Sequence, residues 1–193
     1  MDHRHFPTHT IDTAPHGARA VLEGTTRKFG FVPSPVARQA TSPETLQGFL
    51  KAVALFDAST LSPMEREVVT FVVATGNGCD YCVAMHSATL AGTGADGELL
   101  NALRDQRVLP VVRLERLREF TLAVIAAAGA VADEELERFL AAGFTPRNAL
   151  EVVLGIGAYT ISTYANRMTA APLDPPFEPF AWEPRAAAGT MAR

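Results

Sequence analysis

The chain has little cysteine, little tryptophan and no long apolar run, and each shortage excludes something. Two of its 193 residues are cysteine and one is tryptophan. Two thiols cannot staple a disulfide-dense scaffold, so the fold must rest on an apolar core. A chain of this length buries about 70% of the surface its unfolded form exposes, so a core is available. The longest apolar runs, Val68–Ala74 and Leu122–Ala128, are far shorter than the roughly 20 residues that cross a bilayer. Basic excess is also missing. Seventeen Lys and Arg against 21 Asp and Glu give a formal charge of −4, with no basic stripe for nucleic acid. What is present is 48% hydrophobic and 20% charged residues, the balance of a soluble globular protein. The first residues, MDHRHFPTHTIDTAPHG, hold no apolar signal-peptide region, and the expected location is the cytoplasm. In a reducing compartment, two cysteines three residues apart point to redox or metal chemistry rather than to a structural bridge.

The punctuation is helical. Ser-Pro or Thr-Pro occurs at Ser34, Ser42, Ser62 and Thr145. The hydroxyl can cap free backbone N–H groups, and Pro tolerates the first helical position. Ser62 also has Glu65 three residues on, which completes a capping box. Apolar spacing of the i, i+3, i+4, i+7 kind predicts helices over 17–28, 35–41, 43–57, 63–75, 79–92, 96–105, 112–130, 133–142 and 146–169. Gly143 reads as the C-cap of the eighth. The β-branched stretch VVTFVVATG tempts a strand reading, but its capping box favours helix. The fold class expected is all-α.

Both ends differ from the middle. Residues 1–16 carry His3, His5, His9 and His16 among few apolar residues, and read as a mobile or partner-packed N-terminal arm. Residues 172–193 form a second arm. Its Pro-rich part excludes a helix, and Phe177, Phe180 and Trp182 need a surface to cover, either the helices or a second subunit. The helical domain between the arms is 17–171.

The chemistry concentrates in residues 65–86. Gly76-Asn77-Gly78 breaks the chain between two helices, and Cys79, Cys82 and His86 follow. At 100° per residue the three side chains share a stripe of about 60°. A thiolate is the nucleophile and a free thiol titrates near about 8.5. A helix N-terminus favours the thiolate, a neighbouring His can take the proton, and a second cysteine can close a disulfide before over-oxidation. The helix dipole favours ionising Cys79, while the imidazole four residues on favours Cys82. Glu67 falls on an apolar arc beside Phe71 and Ala74, where a carboxylate needs a partner. It is the candidate to face His86 across the turn. Glu65 is accounted for by the cap, and Asp80 complements the helix dipole. A zinc site of Cys79, Cys82, His86 and Glu67 is the weaker alternative. Such sites bring a second ligand pair from a distant segment, and no other cysteine exists here. A thioredoxin-type protein would set CxxC in a βαβ context, whereas these surroundings are helical.

Glu67, eleven intervening residues, Cys79-x-x-Cys82, three more and His86 resemble the signature of the AhpD-like alkyl hydroperoxidases of the carboxymuconolactone decarboxylase superfamily. The lead-in FVPSPVARQATSPETLQGFLKAVALF and the later YANRMTAAPLDPPF resemble the longer, peroxidase-related members. The decarboxylases of the superfamily lack the CxxC pair. Some characterised members carry His immediately before the second cysteine, where this chain has Tyr81. The resemblance implies an all-α, AhpD-like fold that oligomerises through helix packing as a dimer, trimer or hexamer. It implies thiol-dependent reduction of a hydroperoxide, with Cys82 peroxidatic, Cys79 resolving, and Glu67 and His86 relaying the proton. No flavin, haem or metal is required. Electrons come from an external dithiol or thioredoxin-like reductant. Neither nucleic acid nor membrane is an expected partner. A redox-sensing or scaffolding oligomer with little turnover is the alternative. Both thiols are expected to be accessible, and mild oxidation is expected to join Cys79 to Cys82.

Overall fold

The structure, a computed structural model, describes residues 5–184. Nine α-helices follow in order among them: α1 (His16–Phe29), α2 (Ser34–Gln39), α3 (Pro43–Asp57), α4 (Pro63–Gly76), α5 (Asp80–Gly92), α6 (Gly97–Arg104), α7 (Val112–Ala126), α8 (Asp133–Ala141) and α9 (Pro146–Thr169). No strand occurs among the described residues. No helix among them is long and apolar enough to cross a membrane.

The helix starts follow the capping chemistry at three of the four hydroxyl-proline pairs. Ser62 accepts from the Glu65 N–H while Glu65 Oε2 takes the Ser62 N–H at 2.7 Å. Thr145 and Asn148 make the same reciprocal box at the head of α9. Ser42 accepts from the Thr45 N–H. Ser34 departs from the expected role. Its N–H and hydroxyl both turn to the Asp174 carboxylate, at 3.0 and 2.5 Å. The Tyr81 hydroxyl donates to the same carboxylate at 2.6 Å. Asp174 therefore ties the C-terminal segment to the starts of α2 and α5.

α4 and α9 form the centre. α9 packs along α3 and α4 and touches α2, α5 and α7, while α4 also meets α5, α6 and α7. The main core runs through Phe56, Val68, Val69, Phe71, Val83, Leu117 and Val152. A smaller cluster of Ala14, Ala18, Leu22, Ala40 and Leu46 binds the N-terminal segment, α1 and α2 to α3. The described part of the N-terminal arm lies along this cluster, with the His9 N–H donating to the Ala37 carbonyl.

Most boundaries fall within two residues of the expectation, and three departures have a clear physical reason. α7 stops at Ala126 rather than 130, because Ala128 and Gly129 take positive φ of 48° and 89° and reverse the chain. Gly143, at φ 88°, lies one residue beyond the cap of α8, which is Ala142. The proline segment was expected to be non-helical, yet Pro175–Phe180 forms a 3₁₀ turn. The fixed φ of Pro suits that geometry, and the needed donors are the N–H groups of Phe177 and Ala181. This segment lies over the chain's own helices. Phe177 stands edge-on to Tyr81. Arg104 of α6 donates to the Phe180 and Ala181 carbonyls, and Trp182 Nε1 donates back to the Arg104 carbonyl.

The closest approach in the core is at Gly155 of α9. A Cβ there would stand 2.6 Å from the Phe56 ring and 2.9 Å from Val69 Cγ1, whereas Gly157 has open space. Gly155→Ala should lower stability by about 1–3 kcal/mol, the cost of overpacking. It should show as a lower urea midpoint at unchanged slope. Gly157→Ala should be neutral or slightly stabilising by helix propensity. Equal midpoints for the two variants would contradict this packing.

Candidate functional site

α4 ends with Asn77 as its C-cap, and Gly78 turns the chain at φ 62°, a left-handed value that suits glycine. The turn is pinned to α9, where Asn77 Nδ2 donates to Thr163 Oγ1 at 2.9 Å and Arg167 donates to the Asn77 carbonyl. Cys79 is the N-cap of α5 rather than its first helical residue, with φ −90° and ψ 95°. The reversal lays α5 against α4. Glu67 on α4 and His86 on α5 then meet, with Oε2 and Nδ1 2.8 Å apart.

That contact fixes the imidazole. A carboxylate only accepts, so His86 Nδ1–H is the donor and Nε2 is the free nitrogen. His86 is 6% exposed, and Nε2 is buried without a hydrogen-bond partner among the described residues. Leaving such a group unsatisfied costs about 1–3 kcal/mol. Tyr159 and Phe71 stand edge-on to the ring, with centroids at 5.3 and 6.4 Å. Glu67 also borders an open cavity of about 390 Å³ with Met64, Arg66, Thr70, Leu90 and Tyr159. Its carboxylate therefore links that cavity to the buried imidazole.

The cysteines differ from expectation in one respect. Cys79 is 0% and Cys82 2% exposed, so neither thiol is accessible in this chain. A helix N-terminus normally faces water, but α5 lies between α4, α6, α9 and the C-terminal segment. The same four-sided packing buries Tyr81, Val83, Ala84 and Ser87.

Their electrostatics separate them. The Cys82 thiol beside it is the chief influence that lowers the Cys79 thiol, helped by the Cys82 backbone N–H and the Asn166 amide. Burial and Asp80 oppose this. Cys82 is pushed well above the usual thiol range by the Cys79 sulfur and by burial, while Ser162 and Asn166 hold it back. Of the two thiols Cys79 is thus the more readily ionised, at the position that the helix dipole favours.

Sequence reasoning missed the residues that face the sulfurs from α9 and α2. Asn166 Nδ2 lies 3.3 Å from Cys82 Sγ and 4.0 Å from Cys79 Sγ. Ser162 Oγ lies 3.8 Å from Cys82 Sγ. Gln39 of α2 donates to Asn166 Oδ1 at 2.7 Å. Ser162 and Asn166, four apart, share one helix face. That spacing was the available signal, but only the packing shows that the face turns inward.

Residues 41–113 match the family model described as the carboxymuconolactone decarboxylase family. No protein of curated description matches the sequence. A structure described as an alkylhydroperoxidase AhpD core, an uncharacterised peroxidase-related protein from Ralstonia eutropha JMP134, superposes with a TM-score of 0.79. The match is at 20% identity over 89% of this chain and 93% of that one. An uncharacterised peroxidase-related protein from Silicibacter sp. TM1040 superposes with a TM-score of 0.76, at 23% identity over 89% and 91% of the two chains. The debrominase Bmp8, a cysteine-to-alanine variant in complex with 2,3,4-tribromopyrrole, superposes with a TM-score of 0.71. That match is at 14% identity over 93% and 96%. The fold is the all-α AhpD-like fold. The family match covers residues 41–113, and over the rest of the chain the likeness to AhpD-like proteins is one of fold.

A thiolate titration followed by ultraviolet absorbance checks the electrostatic asymmetry. One thiolate should form below the ordinary thiol range and the second far above it. Cys79→Ser should abolish the low step, and Cys82→Ser should move it upward by removing the chief stabilising neighbour. A single step at the ordinary thiol value in wild type would contradict the asymmetry.

Proposed function

We propose that the protein is a thiol-dependent peroxidase that reduces alkyl hydroperoxides or hydrogen peroxide. The observation that carries the reading is the Glu67–His86 contact at 2.8 Å, which leaves a buried, unpartnered Nε2 one helical turn from a vicinal cysteine pair. The likeness to peroxidase-related structures supports it.

In the proposed reaction Cys82 passes its proton to the adjacent Cys79 thiolate or to His86 Nε2. The Cys82 thiolate attacks the terminal oxygen of the hydroperoxide. The O–O bond breaks, Cys82 becomes a sulfenic acid, and the departing alkoxide takes up a proton and leaves as the alcohol. Cys79 as thiolate attacks the Cys82 sulfur, expels hydroxide that leaves as water, and closes the disulfide. An external dithiol, of the thioredoxin-like kind, restores both thiols by exchange. Glu67 holds His86 in the tautomer that leaves Nε2 free. The chain's only two cysteines lie three residues apart, as suits redox chemistry in a reducing compartment, and the cytoplasm is the proposed location. Leu150, Val153, Ile161, Tyr164 and Met168 leave an exposed apolar stripe on α9, and self-association through it is part of the proposal.

One observation favours a second reading. Both thiols are enclosed, as suits a redox sensor whose disulfide changes assembly. Rapid peroxide reaction with unchanged assembly supports the enzyme, and slow oxidation with a changed assembly supports the sensor.

Two experiments test the roles. Intact-mass analysis after peroxide treatment should show a Cys82 sulfenic acid in Cys79→Ser. Oxidation in Cys82→Ser alone would reverse the two cysteines. Glu67→Gln keeps shape but loses the fixed acceptor for Nδ1–H. It should slow thiol oxidation at neutral pH by about tenfold or more, part of the 10²–10⁴-fold typical of acid–base catalysis. Thermal stability should barely change. Glu65→Gln, which loses its Arg113 ion pair but keeps an acceptor for the Ser62 cap, should at most cost some stability and little reactivity. Equal reactivity of Glu67→Gln and wild type across pH 6–9 would remove the proton relay.

A further inference from the structure

The sulfurs lie against one amide whose orientation is set from a different helix. Asn166 Nδ2 is 3.3 Å from Cys82 Sγ and 4.0 Å from Cys79 Sγ. Asn166 is 4% exposed and Gln39 5%, so neither side chain has water as an easy alternative. The Gln39 amide donates to Asn166 Oδ1 at 2.7 Å, which turns the Asn166 NH₂ toward the cysteines. The neighbouring Arg38 fastens α2 to the end of α9 by donating to the Thr169 and Ala170 carbonyls. α2 is thereby held where Gln39 can reach. A polar chain thus runs from α2 through α9 to the reactive pair, inside an otherwise apolar core.

We propose that Asn166 is a shared hydrogen-bond donor to both sulfurs, aimed by Gln39, and that it sets how readily the pair ionises and how easily its disulfide is reduced. Asn166 would be a catalytic residue of the proposed reaction, since it touches the reacting atoms, and Gln39 a positioning residue. The inference rests on the peroxidase reading only in taking the pair as redox-active.

The physical reason is a difference between the two redox states. An N–H donor stabilises a thiolate far more than a disulfide, because only the thiolate carries charge. The donor therefore favours the reduced pair and makes the disulfide the stronger oxidant. Because it reaches both sulfurs, it serves Cys79 at rest and Cys82 when Cys82 ionises to attack. Besides Asn166, the Cys82 backbone N–H favours a negative Cys79 and Ser162 a negative Cys82, while other neighbours oppose it or are neutral. Asp80 on α5 disfavours it, as the thiolates disfavour ionised Tyr81 and Tyr159. Glu67 on α4 is engaged with His86. From α9 and α2, Ser162 and Asn166 are the donors at hydrogen-bond distance from Cys82.

The test uses the full chain and two readouts that need no turnover. The first is the thiolate titration, and the second is equilibration with reduced and oxidised glutathione, in which the dithiol and one oxidised glutathione give the disulfide and two glutathione thiols. Asn166→Leu should raise the low thiolate titration by about one pH unit, the size of one charge-assisted hydrogen bond. At a pH where the wild-type thiolate is formed, it should shift the glutathione equilibrium about tenfold toward the disulfide, which is about 30 mV. Gln39→Leu should move both readouts in the same direction by less. Asn166→Asp keeps the shape, so it tests the charge if the Leu variant fails to fold, and it should raise the titration further than Leu. Unchanged titration and equilibrium in folded Asn166→Leu or Asn166→Asp would overturn the donor role. If instead wild type fails to react with peroxide while these shifts are seen, the peroxidase reading fails and the donor role stands.

Discussion

The Gly76–Gly78 turn is the constraint on which the rest depends. It must reverse the chain within three residues, so that α4 and α5 lie side by side with Glu67 and His86 in register. The same reversal leaves Cys79 just outside α5, beneath the free N–H groups of its first turn. One local backbone feature thus supplies both the Glu67–His86 contact and the electrostatic difference between the thiols. Its position is held from α9 through Asn77 and Arg167, so the turn cannot shift without moving the long central helix.

The centre of the site is dry, and that decides which effects win. A buried thiolate is costly, yet the local donors outweigh burial at Cys79. At Cys82 they do not, because the neighbouring sulfur and burial act together. In water, screening and hydration would blur this difference. Inside the core each hydrogen bond to sulfur gains weight, as does each missing one. His86 Nε2, buried without a hydrogen-bond partner among the described residues, lies in the same enclosed region.

Much of this was legible in the sequence because it is local. The Ser62 and Thr145 caps, the α4–α5 break and the CxxC-to-His spacing depend on residues within a turn or two of each other. The pairing of Glu67 with His86 was legible because a carboxylate on an apolar arc needs a partner. Asn166, Ser162 and Gln39 were not, since their role depends on how α9 and α2 pack against α5. The burial of both cysteines escaped for the same reason. Helix periodicity tells that α5 is a helix, but not that helices enclose it on every side. Ser34 shows the limit in small: its sequence context marks a cap, while its hydroxyl is taken by Asp174 from the far end of the chain.

The central claim is that the Cys79–Cys82 pair turns over hydroperoxide at the expense of an external dithiol. The most direct measurement is peroxide consumption in the presence of several dithiol donors, beside the double variant Cys79→Ser, Cys82→Ser. The account predicts catalytic consumption by wild type with at least one donor and only the uncatalysed background in the double variant. Equal consumption by the two proteins with every donor would contradict it.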